Sequence, residues 1–527
     1  MTDKPNILIF NPDQMRTDSL GCFGNAAAHT PNFDALAAEG AAFENAFCQN
    51  PVCVPSRCSF MTGLYPHTNG HRTMAHLLRR GEPNLFLDMK AAGYHTVSST
   101  RGDLLAGQDS GLNRSCVDEF IVSRRYRGQR AYLPKADRGD ESGDQYYSFM
   151  NGILPSKRED GKVFNFDDFT VNGAIHSIKH RKKDKPFFMF VAINLPHPEY
   201  QIEKEFYDLI DKTKLQQRIP NIKETDGKPK MEAGLLEGLR VSGWSEERLR
   251  EIRAVYLAMC AKADSQLGRL VQSLKDEGIY DNTIVIVLSD HGDYTTDYGL
   301  VEKSQNCFPD CLTNVPLIIK PQGSVEIDKG VHTQLAELTD LGATCLELAG
   351  IKNERVQFGK SLVSAMKDKA LPHREYVFCE GGRLIGEKHC MEYDEKRFSP
   401  KGLYSPRMLL QSREDGTHTK AVMIRNEKYK YVKRLYETDE FYDLSKGESV
   451  NLFGNGEYSG QIEKMEKAML EWFLETSDSV PTNLDERFTP EFVANAAVSA
   501  GVPKFMRHAV SGAMRLFGIK LSKIARW

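Results

Sequence analysis

No stretch of the 527 residues reaches the roughly 20 consecutive apolar positions that a membrane-spanning helix needs. The opening MTDKPNILIFNPDQ likewise has no basic leader followed by an apolar run of secretory length. The expectation is a cytoplasmic protein with no integral membrane segment. A charge excess is also missing: 69 Lys and Arg face 72 Asp and Glu, a formal net charge of -3, so no global field draws nucleic acid or an acidic membrane. The one dense basic run, KHRKKDK at 179–185, stands alone and reads as a solvated loop or helix end. Eleven cysteines make an odd number without any C-x-x-C pair, which suits reduced thiols better than a disulfide framework. Internal repeats and low-complexity tracts are absent.

What is present is an ordinary globular composition, 40% hydrophobic and 27% charged, on a chain long enough for one large α/β domain with additions or for two domains. Short apolar runs end in polar residues: NILIF before Asn11 and Asp13, PFFMFVAINL before Pro196 and His197, TIVIVLS before Asp290 and His291. They read as buried parallel strands. Between them TPNFDALAAEGAAF and RAVYLAMCAKADSQLGRLVQSLKDEG have helical periodicity, and the alternation predicts a doubly wound sheet. Ligands in such sheets gather at the carboxyl ends of strands, where Asp13, His197, Asp290 and His291 fall. Residues 121–165 and 201–250 are polar and weakly periodic, and are expected to be surface insertions walling a cleft.

Near residue 375 the pattern changes. KAVMIRNEKYKYVKRLYETDEFYDL predicts antiparallel strands, and QIEKMEKAMLEWFLE an amphipathic helix. Residues 501–527 carry Lys504, Arg507, Arg515, Lys520, Lys523 and Arg526 without an acid, and Met506, Val510, Met514, Phe517, Leu521 and Ile524 recur at helical spacing. Such a basic amphipathic arm more commonly packs on its own domain or a neighbouring subunit than on a membrane, and a homo-oligomer is expected. The boundaries are a catalytic domain over 1–372, a smaller α+β subdomain over 373–480 and the arm over 481–527.

SDHGD at 289–293 places a carboxylate beside an imidazole, and Asp13 at another strand end adds a second hard oxygen. Oxygen donors favour calcium or magnesium, while His291 leaves manganese or zinc open. Arg57 and Lys303 are cations suited to a tetrahedral anion, and His197 is placed to protonate a leaving oxygen. Taken singly, each also fits a plainer role: a loop cap for Asp13, a solvent-facing Lys303, a backbone-satisfied His197.

Cys53, Pro55 and Arg57 in CVPSR fit C-x-P-x-R, and here the chain resembles the type I sulfatases of the alkaline phosphatase superfamily, in which that cysteine is oxidised to formylglycine (3-oxoalanine). PNILIFNPDQMRTD is similar to the family's first metal strand, CVPSRCSFMTGLYPHTNGH to its signature and following helix, KPFFMFVAINLPHPEY to its histidine strand, and TIVIVLSDHGDYTTDYGLVEKS to its second metal strand with the anion-binding lysine. NEKYKYVKRLYETDEFYDL resembles its carboxyl-terminal subdomain, so the resemblance spans about residues 4 to 475.

The resemblance implies a large, mostly parallel sheet flanked by helices with a smaller antiparallel subdomain. It implies Asp13, Gln14, Asp290, His291 and the modified Cys53 around one divalent ion, calcium first. Arg57 would steady the nucleophile, with Lys303 and His197 on the sulfate and leaving oxygen. A hydrated aldehyde has one hydroxyl to attack sulfur and a second whose deprotonation expels sulfate, an exit that serine or a thiol lacks.

Two departures stand out. Gln14 replaces the second of two successive aspartates, and GYHTVSSTRGDLLAG has Arg101 and Asp103 where relatives carry the lysine and histidine of G-K-x-H. Asp103 with a raised pKa, His71 or His76 would have to serve as base, and ordinary polar roles fit all three equally. The expected activity is hydrolysis of a small sulfate ester after maturation by a formylglycine-generating or anaerobic enzyme. The alternative is a phosphonate monoester or phosphodiester hydrolase with the same nucleophile, and a third reading is a silent binding protein that keeps the fold.

Overall fold

In the computed structural model the described residues are 4–99, 102–107, 115–121, 150–154 (backbone only), 166–239, 243–392 and 404–482. NILIFNPD forms β1 (Asn6–Asp13), buried along its whole length. A strand covered on both faces has no polar side to show, which is why its sequence does not alternate. Its odd and even positions nevertheless go to different cores. Ile7 and Ile9 join Phe188, Phe190, Ile284 and Ile286 on one face, while Leu8 and Phe10 join Met189, Val191, Val285 and Val287 on the other.

The strands that follow are β2 (Ala41–Phe47), β3 (His95–Ser99), β4 (Glu119–Ile121), β5 (Met150–Leu154), β6 (Phe187–Pro196), β7 (Tyr200–Glu203), β8 (Thr283–Leu288), β9 (Asn314–Lys320), β10 (Gly330–His332) and β11 (Ala336–Glu337). Nine of them form the central sheet in the order β10-β2-β9-β8-β1-β6-β3-β4, with β11 also on β2. Every pairing is parallel except those of β9, which runs antiparallel to β2 and β8. The expected α/β architecture with a mostly parallel sheet is the observed one. The 31-residue helix Glu246–Asp276 packs its apolar stripe, including Ile252, Val255 and Leu267, on one face. The helices α1 (Pro31–Glu39) and α2 (Cys53–Thr62) lie on opposite faces, through Phe33 and Leu36 on one and Val54, Phe60 and Met61 on the other.

Two local expectations need correction. TPNFDALAAEGAAF is not one helix: α1 stops at Glu39, and Ala41 to Phe43 begin β2. Gly40 makes the switch because a Cβ there would stand 2.5 Å from the carbonyl oxygen of Ile319. Residues 201–250 are not wholly a surface insertion either. Ile202, Ile210, Met231 and Leu235 are buried, β7 pairs with β5, and Lys230–Gly238 is helical. Of the other stretch, residues 122–149 and 155–165 lie outside the described residues.

A second sheet, β12 (Val377–Gly381), β13 (Ala421–Arg425), β14 (Tyr429–Arg434) and β15 (Glu440–Asp443), is antiparallel throughout. The helix Ser459–Thr476 covers it with Met465, Met469 and Trp472, the last stacked on Phe378 at 4.4 Å and edge-on to Tyr65 at 4.9 Å. Residues 1–353 and 357–478 form one compact unit; a second comprises 354–356 and 479–527, within which Thr482 Oγ1 donates to the Glu354 carbonyl at 3.0 Å. The arm expected over 481–527 lies outside the described residues beyond Thr482. Among the described residues no helix is long and apolar enough to cross a membrane.

Candidate active site

β1 and β8 are parallel neighbours, so their carboxyl ends deliver Asp13 and Asp290 to the same rim. Gln14 then turns in the left-handed region, φ 68°, a strained conformation for a residue with a Cβ and one that clusters at functional sites. Cys53 is the first residue of α2, and its Sγ lies 3.8 Å from Asp13 Oδ1 and 3.2 Å from His291 Nε2. Ligand atoms of Asp13, Cys53, Asp290 and His291 all lie within 4.8 Å of one another, fully buried. Ser56 anchors the helix to the strand end by donating to the Asp290 carbonyl at 2.6 Å.

Arg57 stands one helical turn after Cys53. Its Nε donates to Asp290 Oδ2 at 2.7 Å and its Nη2 to Asp13 Oδ2 at 2.5 Å. Burial opposes its charge, but Asp290 and Asp13 more than offset this and hold the guanidinium well above its ordinary pKa. Its observed contacts are thus with the carboxylates rather than with residue 53 alone.

With both outer oxygens occupied, the inner ones converge: Asp13 Oδ1 and Asp290 Oδ1 lie 3.7 and 3.9 Å from His291 Nε2. His291 Nδ1 is 3.0 Å from the Gly292 carbonyl, which can only accept, so Nδ1 carries the hydrogen and Nε2 offers its lone pair to the cluster. Burial lowers the pKa of this imidazole and keeps it neutral. Two inward carboxylate oxygens and one imidazole lone pair fit a hard or borderline divalent cation.

Gln14 lies beside this set. Its Nε2 donates to Asp293 Oδ2 at 2.6 Å, which leaves Oε1 as the acceptor for Lys303 Nζ at 2.5 Å. Asp293 also receives the Tyr200 hydroxyl at 2.8 Å, and burial raises its carboxyl to about 6.

Lys303 is only 3% exposed. Burial opposes its charge, yet the neighbouring Glu302 carboxylate raises its ammonium well above the usual range. Glu302 lies 2.9 Å from Lys303 and pairs also with Arg407, which holds Glu392 at 2.9 Å. Cys53 itself is driven upward, first by burial and then by Asp13, so an unmodified thiol here would stay protonated and be a poor nucleophile.

His197 follows β6, the other neighbour of β1, and its ring nitrogens meet the Pro198 carbonyl at 2.5 Å and the Tyr404 hydroxyl at 3.1 Å. Asp103, 30% exposed at its side chain, lies 3.8 Å from the Arg57 guanidinium; Arg101 lies outside the described residues. His71 does not fit a substitute base: Nδ1 is bonded to the His76 carbonyl at 2.7 Å and Nε2 to Glu82 at 2.8 Å. Desolvation pulls its pKa down, but contacts with Cys58 and Glu82 push it up to about 10, so the ring is already protonated at neutral pH. His76 Nδ1 is engaged by Thr73 at 2.5 Å.

Sequence reasoning missed Asp293, Glu302, Tyr404 and Arg407. Asp293 stood inside the quoted SDHGD and Glu302 beside Lys303, so adjacency was a usable signal; Tyr404 and Arg407 had none.

Comparison with known proteins agrees with this geometry. The arylsulfatase of Clostridium perfringens (strain 13 / Type A) is 24% identical over 503 residues, 89% of this chain and 94% of that protein. The choline-sulfatase of Rhizobium meliloti (strain 1021) is 25% identical, covering 84% and 81%. Among solved structures, the phosphonate monoester hydrolase of Agrobacterium radiobacter superposes with a TM-score of 0.68 at 20% identity, covering 91% of this chain and 97% of that one. A 2-O GAG sulfatase gives 0.64 at 21%, covering 90% and 93%. The fold is thus the alkaline phosphatase-like one common to these enzymes. With the family model described as Sulfatase matching residues 5–351, the chain belongs to the sulfatase family.

Proposed function

We propose that the protein is a sulfuric ester hydrolase acting on a small sulfate ester, with residue 53 matured from cysteine to formylglycine. The observation that carries the reading is the convergence of Asp13 Oδ1, Asp290 Oδ1 and His291 Nε2 on the position of residue 53 at the start of α2. Asp13, Asp290, His291, the Gln14 amide oxygen and residue 53 would hold one divalent ion. Calcium is the first candidate on the donor chemistry, with manganese, magnesium and zinc as alternatives. When present, the ion and the hydrated formylglycine would supply an acidified hydroxyl for attack on sulfur and a second hydroxyl for expelling sulfate.

The chain's own residues do the rest. Arg57 neutralises the two carboxylates and fixes their inner oxygens. Lys303 and the amino end of α2 present positive charge to sulfate oxygens as charge develops on them. His197 handles the leaving oxygen's proton. Asp103, on the open side of Arg57, is the first candidate for removing the proton that releases sulfate, with His76 as the alternative.

Eleven free cysteines, nine of them buried, support a reducing, cytoplasmic setting. A formylglycine-generating or anaerobic maturation enzyme is required, and the basic tail is assigned to assembly between like copies, which light scattering of the full chain and of residues 1–482 tests.

The deciding experiment is steady-state kinetics on matched aryl sulfate, phosphate diester and phosphonate monoester, with mass spectrometry of the tryptic peptide containing residue 53. The expected result is a higher kcat/KM on the sulfate, an aldehyde at residue 53, and loss of turnover in Cys53→Ala. Preference for a phosphorus ester would transfer the site to phosphonate or phosphodiester hydrolysis, and an intact thiol in active enzyme would remove the nucleophile.

A further inference from the structure

His197 is placed to pass its proton to Tyr404 in this geometry. A carbonyl has no hydrogen to give, so the 2.5 Å contact with the Pro198 oxygen commits the hydrogen on Nδ1. The only nitrogen left for proton exchange is Nε2, and the Tyr404 hydroxyl stands 3.1 Å from it. When the ring is neutral the phenol donates to Nε2; when the ring is protonated, Nε2–H donates to the phenol oxygen. Either way the imidazole and the phenol share one hydrogen bond along which a proton can pass.

The tyrosine is held in place from the site itself. The Arg407 guanidinium lies 4.6 Å from the centroid of its ring, Arg407 is paired with Glu302 and Glu392, and Glu302 meets Lys303 at 2.9 Å. Lys303 in turn binds Gln14. The two rings meet edge to face, 6.4 Å apart at 81°. Burial keeps the phenol protonated across the neutral range, with Lys303, Glu302 and Arg407 as its charged neighbours.

We propose that Tyr404 and His197 form one proton relay to the leaving-group oxygen, Tyr404 being the residue that meets that oxygen. As the bond from sulfur to the leaving oxygen breaks, its electron pair stays with oxygen and takes the proton of the Tyr404 hydroxyl. The phenol oxygen is simultaneously reprotonated by His197 Nε2–H, and the imidazolium becomes a neutral ring that keeps its Nδ1 hydrogen. Nothing is oxidised or reduced. The relay rests on the sulfate-ester reading above and adds to it a residue from outside every motif of the sequence.

The test is a leaving-group series: alkyl, phenyl and 4-nitrophenyl sulfates with wild type, Tyr404→Phe, His197→Ala and the double variant. Phenylalanine keeps the ring and its contact with Arg407, so unchanged thermal melting is expected. The relay predicts that kcat/KM of Tyr404→Phe falls roughly 100-fold on phenyl and alkyl sulfates, the scale of one general acid. The loss should be at least about tenfold smaller on 4-nitrophenyl sulfate, whose leaving group needs no proton. The double variant should be no slower than His197→Ala. Equal losses across the series, or a double variant slower by the product of the two single factors, would overturn the relay. Wild-type turnover of 4-nitrophenyl sulfate tests the sulfatase reading separately, so the two can fail independently.

Discussion

Arg57 Nη2 lies 2.5 Å from Asp13 Oδ2, an ion pair with both side chains sealed from solvent. Removing one partner of such a pair leaves an uncompensated charge in the interior, which costs more than the pair itself contributes. Arg57→Ala is expected to lose about 3–5 kcal/mol of stability in chelator, because the buried Asp13 and Asp290 carboxylates then lose the guanidinium that neutralises them. Calcium should restore part of that loss. Urea denaturation with and without calcium measures it, and a loss of less than about 1 kcal/mol in chelator would refute the assigned role.

Stripping divalent ions should act in the same direction on the wild type. Chelator is expected to abolish turnover and lower the melting temperature, with calcium reversing both. His291→Ala, which removes the inward lone pair, should weaken metal affinity by at least about tenfold by calorimetry. A fully active stripped enzyme would contradict the metal assignment.

Glu302 supplies a pH prediction. Burial favours its neutral form, but Arg407 and Lys303 win and hold the carboxyl at about 2, below its ordinary 4.5. A depressed folded-state value contributes stability that is complete above about pH 4.5 and is lost as pH falls towards 2, on the order of 3 kcal/mol. Glu302→Gln should therefore flatten the stability curve between pH 2 and 4.5. Unchanged slopes in acid titration of the variant would rule this out.

Trp472 joins the second sheet to Tyr65, which follows α2. Its ring stacks on Phe378 at an interplanar angle of 5°. Trp472→Ala is expected to cost about 3–5 kcal/mol through lost burial and the cavity left behind. Catalysis per folded molecule should persist, and a urea midpoint within error of wild type would show that the sheet is held elsewhere.

The strands β1, β6 and β8 were legible because burial on both faces demands unbroken apolar runs, and their polar ends marked Asp13, His197, Asp290 and His291. GAAF was misread because Ala and Phe suit helix and strand alike, and only the closeness of β9 to Gly40 decides between them. β12 was not foreseen, since its pairing with β13 crosses some forty residues of sequence. His71 looked like a spare base until Glu82 and the His76 carbonyl were seen to take both its nitrogens.

The sequence alone determined the sheet-and-helix alternation and the residue types gathered at one rim, because these depend on local periodicity and on chemistry written at fixed spacing, and its motifs carried the resemblance to the family. Only the tertiary structure decided which oxygen of each carboxylate faces inward, that Arg57 binds the outer ones, and that Tyr404 and Arg407 arrive beside Lys303. Those outcomes depend on contacts across tens to hundreds of positions, where distance in space is set by packing and leaves no periodic trace in the chain.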